Sequence, residues 1–194
     1  MKIEIRSATE AVIKGYVNAV GRDSRFLPSP EGKYVEQITP KTFENAISKA
    51  SDIELRFNHQ KHLGSTKEGN LTLYEDNIGL YATATITDAE TIQKAKNNEL
   101  RGWSFGFVKK KDNWEDTDKG YRRRFLNEME LREVSILDKL PAYVGTSIEM
   151  RGEDALVFEI RLNEEQTQVQ DNTPPQKQDY SKYKKEIEIL KLKY

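Results

Sequence analysis

Two histidines and one unusually placed serine are the residues of this chain that could carry out hydrolytic chemistry. The histidines are His59 and His62, in "RFNHQKHLG", and Ser104 stands between two aromatic residues in "GWSFGF". A serine hydroxyl is a poor nucleophile until a base takes its proton, and histidine is the side chain that titrates near neutral pH without help. The sequence therefore allows a site in which His59 activates Ser104, with Gly106 leaving room for a substrate backbone.

A histidine base also needs an acceptor, usually a carboxylate, to hold its second ring nitrogen. Alternation in "LREVSIL" places Glu133 on one strand face together with Leu131, Ser135 and Leu137. Burial of an unpaired carboxylate among apolar side chains is unfavourable, so we expect Glu133 to have a partner. The imidazole N–H of His59 is one candidate.

Ordinary structural roles explain the same residues. Ser104 could lie on the solvent face of its strand, and His59 could be a hydrogen-bonded core histidine. Glu133 could be a surface residue paired with Arg132 or Arg124. Composition and spacing leave these alternatives open.

Two other sites are disfavoured by the pattern of charged residues. His59 and His62 lack a nearby third ligand for zinc, so we predict no metal, and nothing calls for a cofactor. The basic runs at 109–111 and 122–124 could contact phosphate, but acidic residues separate them. We therefore predict a solvated, charge-balanced hairpin tip rather than a nucleic-acid site.

The elements that must position these residues are predicted to be strands. Alternation in "DIELRFNH" puts His59 at a strand end and on the core side. The apolar residues predicted to share that face are Ile53, Leu55 and Phe57. The polar residues predicted to lie on the opposite face are Glu54, Arg56 and Asn58. In the strand of Ser104, the aromatic residues predicted to face the core are Trp103, Phe105 and Phe107.

Two helices accompany about eight short strands. Residues 39–50 are predicted to form one helix with Thr39 as its N-cap, and residues 88–100 another, capped by Thr87 or Asp88. This content predicts a mainly β fold, either a small barrel or a curled sheet carrying helices.

The size and composition fit one compact domain with appendages. The chain has 194 residues, no cysteine and a formal charge of −1, which gives no general argument for binding nucleic acid or anionic membranes. The first ten residues lack the apolar run of a signal peptide, and no stretch is long enough to span a bilayer. We therefore expect a soluble, intracellular protein.

Composition changes after the compact part, which is predicted to span residues 1–162. Residues 163–180 are rich in Gln, Asn, Pro and charge, and are predicted to form a flexible linker. Residues 181–194 carry apolar side chains near helical spacing and are predicted to form an amphipathic C-terminal helix. An isolated helix of this length is marginal in water, so we expect it to need a partner.

Several motifs in order resemble the prohead protease family of tailed phages with the HK97-type capsid. The matching stretches lie between residues 11 and 151. They are "GYVNAV", "VEQITPKTFENAI", "LRFNHQKHLGS", "LTLYEDNIGLYATATI", "LRGWSFGF" and "LREVSILDKLPAYVGT". The family is similar in fold to the herpesvirus assemblins, so the resemblance implies a small closed β-barrel with flanking helices.

The resemblance also implies a catalytic set in the order His59, Ser104 and a third member. Assemblins use a histidine in the third position, but this chain has none after His62. Glu133 is our choice for that role, by position and chemistry.

The function implied is that of a serine endopeptidase of capsid maturation. It would act inside the immature capsid, or prohead, in the host cytoplasm. There it would cleave the scaffolding segment of the major capsid protein, and itself. Assemblin-like enzymes suggest a homodimer, whereas a membrane or nucleic-acid partner is not expected. The competing hypothesis is a catalytically silent assembly or scaffolding factor with the same fold.

Overall fold

The computed structural model describes residues 1–138, 156–161 and 167–173, with the backbone alone described for 156–161. These residues form a mainly β structure of twelve strands and two helices. Within these ranges, no helix has the length and apolar character needed to cross a membrane. The helix predicted over 181–194 and all of "PAYVGT" lie outside the described residues.

Five of the strands form one sheet in the order β12-β1-β2-β8-β7. Their bounds are β1 (Lys2–Ile5), β2 (Ala11–Ala19), β7 (Leu71–Glu75), β8 (Gly79–Ile86) and β12 (Gln168–Asp171). Strands β7 and β8 form a hairpin, with Leu71 opposite Ala84.

The other seven strands form a second sheet built around two long strands, β9 and β10. Its bounds are β3 (Leu27–Ser29), β4 (Gly32–Ile38), β5 (Glu54–Phe57), β6 (Lys61–Ser65), β9 (Gly102–Asp116), β10 (Arg122–Leu137) and β11 (Leu156–Arg161). The order is β11-β9-β10-β4-β3, and β5 also pairs with β10 and carries β6 on its other edge.

Strand β10 organises this sheet because it has different neighbours along its length. It pairs antiparallel with β9 throughout. On its other edge, its first half pairs parallel with β4 and its second half with β5. Helix α1 (Thr42–Lys49) lies between β4 and β5 in the chain, and α2 (Ala89–Lys96) lies between β8 and β9. After β4 the chain leaves the edge of β10, forms α1, and rejoins the same edge in the same direction as β5.

One hydrophobic core lies between the two sheets and the helices. The predicted aromatic face is confirmed, since Trp103, Phe105 and Phe107 are all fully buried in it. Phe43 of α1 packs edge-on against Phe105 with ring centroids 5.4 Å apart. Gly15 of β2 allows close approach, because a Cβ there would lie 3.2 Å from the Trp103 indole nitrogen.

Side chains of both basic runs are paired with acidic residues, although two of the acidic partners lie outside the hairpin. Arg123 bonds Asp23 at 2.7 Å, and the buried Glu36 binds Arg124. Both runs lie on the strands themselves, because β9 and β10 extend to Asp116 and Arg122 and leave a short turn as the hairpin tip.

The structure departs from the sequence prediction in the segment proposed as a linker. Within 163–180, β12 pairs parallel with β1, with Val169 opposite Ile3. Backbone hydrogen bonds need no apolar side chain, so polar composition does not exclude an edge strand. The described strands form two sheets, and the closed barrel stays a prediction.

We expect Phe105→Ala to lower the free energy of unfolding by about 3–5 kcal/mol, because it would open a cavity in the core behind Ser104. Phe26→Ala is the control, since Phe26 is 51% exposed. Its expected cost is about 1 kcal/mol or less. Urea denaturation followed by circular dichroism measures both, and equal losses would contradict the packing described above.

Candidate active site

A left-handed turn after β5 positions His59. The strand ends at Phe57, and the next two residues, Asn58 and His59, have φ angles of 52° and 61°. Two consecutive left-handed residues break the alternation of the strand. The prediction that His59 shares the core face of Phe57 is therefore wrong. Its ring instead meets the carboxylate of Glu133, on the other face of the sheet.

Asn58 fixes this turn to the end of β10. Its backbone N–H donates to the Ile136 carbonyl at 2.9 Å. Its side-chain amide donates to Asp138 Oδ1 at 2.8 Å, and its amide oxygen accepts the Asp138 backbone N–H at 3.2 Å. Lys94 of α2 lies 2.9 Å from the other Asp138 oxygen, and this hydrogen bond raises the pKa of Lys94.

A β-bulge in β10 sets the direction of Glu133. Leu131 lies opposite Phe107 and Glu133 opposite Gly106, so Arg132 is the extra residue. The prediction that Leu131 shares a face with Glu133 is wrong, because the bulge moves Leu131 into the core. Since its partner is Gly106, no side chain of β9 competes with Glu133 for space.

Glu133 is only 5% exposed, and both of its carboxylate oxygens have partners. One carboxylate oxygen, Oε1, is hydrogen-bonded to Nδ1 of His59, which is the pairing the sequence suggested. The other, Oε2, lies 2.9 Å from Nε of Arg56. A carboxylate can only accept hydrogen bonds, so the His59 proton belongs on Nδ1 and the lone pair on Nε2. That tautomer is the one a general base requires.

Arg56 lies between two carboxylates. Besides Glu133 it contacts Glu54 Oε2 at 2.5 Å. The pKa of Arg56 is raised, first by the hydrogen bond to Glu54 and further by the charge of Glu133, against the opposing effect of burial.

Ser104 lies on the same sheet face, one strand away from Glu133. It is fully buried, so the solvent-face alternative is wrong. Its register partner on β10 is Ser135. Ser135 Oγ accepts the backbone N–H of His59 at 3.1 Å and donates to Glu133 Oε1 at 3.3 Å. Side chains directly opposite each other in a sheet have Cβ atoms about 4.5–5.5 Å apart. The sheet thus gathers His59, Glu133 and Ser104 around Ser135.

The alternative partners suggested for Glu133 are engaged elsewhere. Arg132 contacts Glu130 at 2.8 Å, and Arg124 binds Glu36. In the described ranges, no group of His, Asp or Glu side chains is arranged to hold a metal ion.

Arg56 and Ser135 are site residues for which the sequence pattern predicted no role. Alternation does place Arg56 away from the core face, and it places Ser135 beside Glu133. The missing information is that β5 pairs with β10, which puts Arg56 opposite Ser135. Local periodicity does not contain that pairing.

The chain belongs to the caudovirus prohead serine protease family, whose model matches residues 1–159. Membership indicates a serine protease of the phage prohead, and so connects the chain with capsid maturation and with capsid proteins. No curated protein and no solved structure matches the chain significantly.

We expect Asn58→Ala to destabilise the protein more than Asn98→Ala. Both asparagines have left-handed backbones, but Asn58 also holds Asp138 through two hydrogen bonds. Loss of those bonds should add about 1–3 kcal/mol to the cost of losing asparagine in a left-handed turn. Chemical denaturation of the two variants measures the difference. Equal values would show that the Asn58–Asp138 pair does not stabilise the turn.

Proposed function

We propose that this chain cleaves the scaffolding segment of the major capsid protein, and itself, inside the prohead. Ser104 is the proposed nucleophile, His59 the general base and Glu133 the residue that orients His59. The observation that carries the proposal is the buried Glu133 carboxylate bound to Nδ1 of His59, beside the register partner of Ser104. Family membership supports the same reaction class.

In the first step, Ser104 Oγ attacks the scissile carbonyl carbon and its proton passes to Nε2 of His59. The imidazolium formed is stabilised by Glu133 through Nδ1–H. His59 then protonates the leaving amine as the C–N bond breaks, which leaves an acyl-enzyme on Ser104. A water molecule, deprotonated by His59, attacks the ester, and the proton returns to Ser104 as the new carboxyl end departs.

Access to the nucleophile is part of the proposal. Ser104 is fully buried, so a peptide carbonyl can reach its hydroxyl only if this face of β9 becomes accessible. An enzyme with this property would cleave slowly when free and faster once substrate or assembly opens the site. The closed barrel, the C-terminal helix and the homodimer are further proposals that rest on the assemblin resemblance.

Ser104→Ala should abolish cleavage of the capsid protein on co-expression. Loss of a nucleophile in a triad costs at least about 10³-fold in rate. Ser65→Ala is the control, because Ser65 is also buried in this sheet but contacts the Glu68 backbone rather than His59. Intact mass spectrometry of the capsid protein separates full-length from shortened chains.

Identical fragments from Ser104→Ala and the wild type would refute the nucleophile assignment. No fragments from either, with normal prohead assembly, would favour the silent assembly factor.

His59→Gln should lose cleavage to a similar extent, whereas His62→Gln should keep it. The two histidines lie three residues apart, but His62 is about half exposed and bonds Glu68 at 2.8 Å. Only His59 reaches Glu133. The same co-expression assay measures both variants. Loss of cleavage in His62→Gln alone would show that His62, and not His59, is the base.

A further inference from the structure

The two oxygens of the Glu133 carboxylate have different partners. His59 takes Oε1, and Arg56 Nε lies 2.9 Å from Oε2. From this division we infer that Arg56 is a positioning residue for the proposed protease site, acting on His59 through Glu133. The inference rests on the proposed function and adds to it a fourth residue that touches neither substrate nor nucleophile.

The first reason is geometric. The end of a carboxylate turns about a soft torsion, and His59 and Ser135 both bond Oε1, so without Arg56 the position of Oε2 would be loosely defined. The Arg56 Nε–H is donated to Glu54, so the guanidinium acts on the second oxygen of Glu133 as an ion pair at 2.9 Å, and this attraction favours one orientation of the carboxylate. Arg56 therefore fixes Glu133, and Glu133 fixes the His59 ring.

The second reason is electrostatic. Glu54 and Glu133 lie directly opposite each other on β5 and β10, and like charges in that position repel. Arg56 lies two residues further along the same face and contacts both carboxylates. Its positive charge offsets the two carboxylates and limits the negative field that the pair imposes on His59.

Other charged groups near Arg56 are directed elsewhere. Its register partner on β6 is His62, which is exposed and bonds Glu68. On β10, Arg132 is next to Glu133 in the chain but is 55% exposed and contacts Glu130.

Arg56→Gln and Arg132→Gln make a matched pair for the test. Each removes one positive charge adjacent in space or sequence to Glu133, but only the first breaks a contact with it. Steady-state cleavage of the purified capsid protein precursor by the full-length enzyme, across a range of pH, is the assay. Displacement of a catalytic group costs up to about 10²-fold, so Arg56→Gln should lower kcat by about 10–100-fold with little change in KM.

The pH profile distinguishes positioning from mere stabilisation. With Arg56 gone, the field of Glu133 and Glu54 on His59 is less compensated, which favours the protonated imidazolium that cannot accept a proton. The acidic limb of kcat/KM should therefore move to higher pH in Arg56→Gln and stay in place in Arg132→Gln. In a Glu133→Gln background, Arg56→Gln should have little further effect, because its route to His59 is already cut.

A second readout does not depend on activity. The Nδ1 proton of His59, identified by its loss in His59→Gln, should give a strongly downfield NMR signal. That signal should persist in Arg132→Gln and be lost or shifted in Arg56→Gln. If Arg56→Gln does not fold, Glu54→Gln/Arg56→Gln keeps the net charge of the wild type and replaces it in the kcat and NMR comparisons, where the same losses are expected.

The inference would be overturned if Arg56→Gln and Arg132→Gln had the same kcat, the same pH profile and the same NMR signal. Failure of the proposed function gives a different result, in which the wild type does not cleave or Ser104→Ala still does. The NMR comparison still tests the contact from Arg56 through Glu133 to His59 in that case.

Discussion

The site depends on the compensation of one buried carboxylate. Glu133 is 5% exposed, and an uncompensated charge in that position would be strongly destabilising. A hydrogen bond from His59 and an ion pair with Arg56 compensate it. These interactions require the turn after β5, the bulge in β10 and the pairing of the two strands to be correct together. The same interaction that makes the burial tolerable also sets the tautomer of His59.

Strand β10 brings the residues of the site together. It pairs with β4 and then with β5 along one edge, and with β9 along the other. Its bulge at Arg132 separates two functions of the strand. Before the bulge, Leu131 contributes to the core, and after it Glu133 and Ser135 turn to the polar face. The core face of β9 is equally important, since Trp103 and Phe105 anchor the strand whose other face presents Ser104. A serine between two aromatics is thus the outcome of a strand buried on both sides.

Features that depend on local chain chemistry were predictable. The N-cap of α2 is Asp88, one of the two residues proposed, and it accepts the Thr91 N–H at 2.9 Å. The cap of α1 was not predictable in this way. Thr39 bonds Asn127 instead, and the start of α1 is capped by Glu75 from β7, which accepts two backbone N–H groups. A cap supplied by a residue 31 or more positions away cannot be predicted from the residues near the start of the helix.

The sequence alone determined the strand periodicity, the aromatic core face and the short list of residues able to do chemistry, because these depend on residue type and on neighbours one to four positions away. Tertiary structure decided which of them meet. The left-handed turn redirected His59, the bulge redirected Leu131, and strand pairing placed Arg56 and Ser135 at the site. Partners 74 or more residues apart are selected by packing and by the compensation of buried charge, and those are properties of the whole fold.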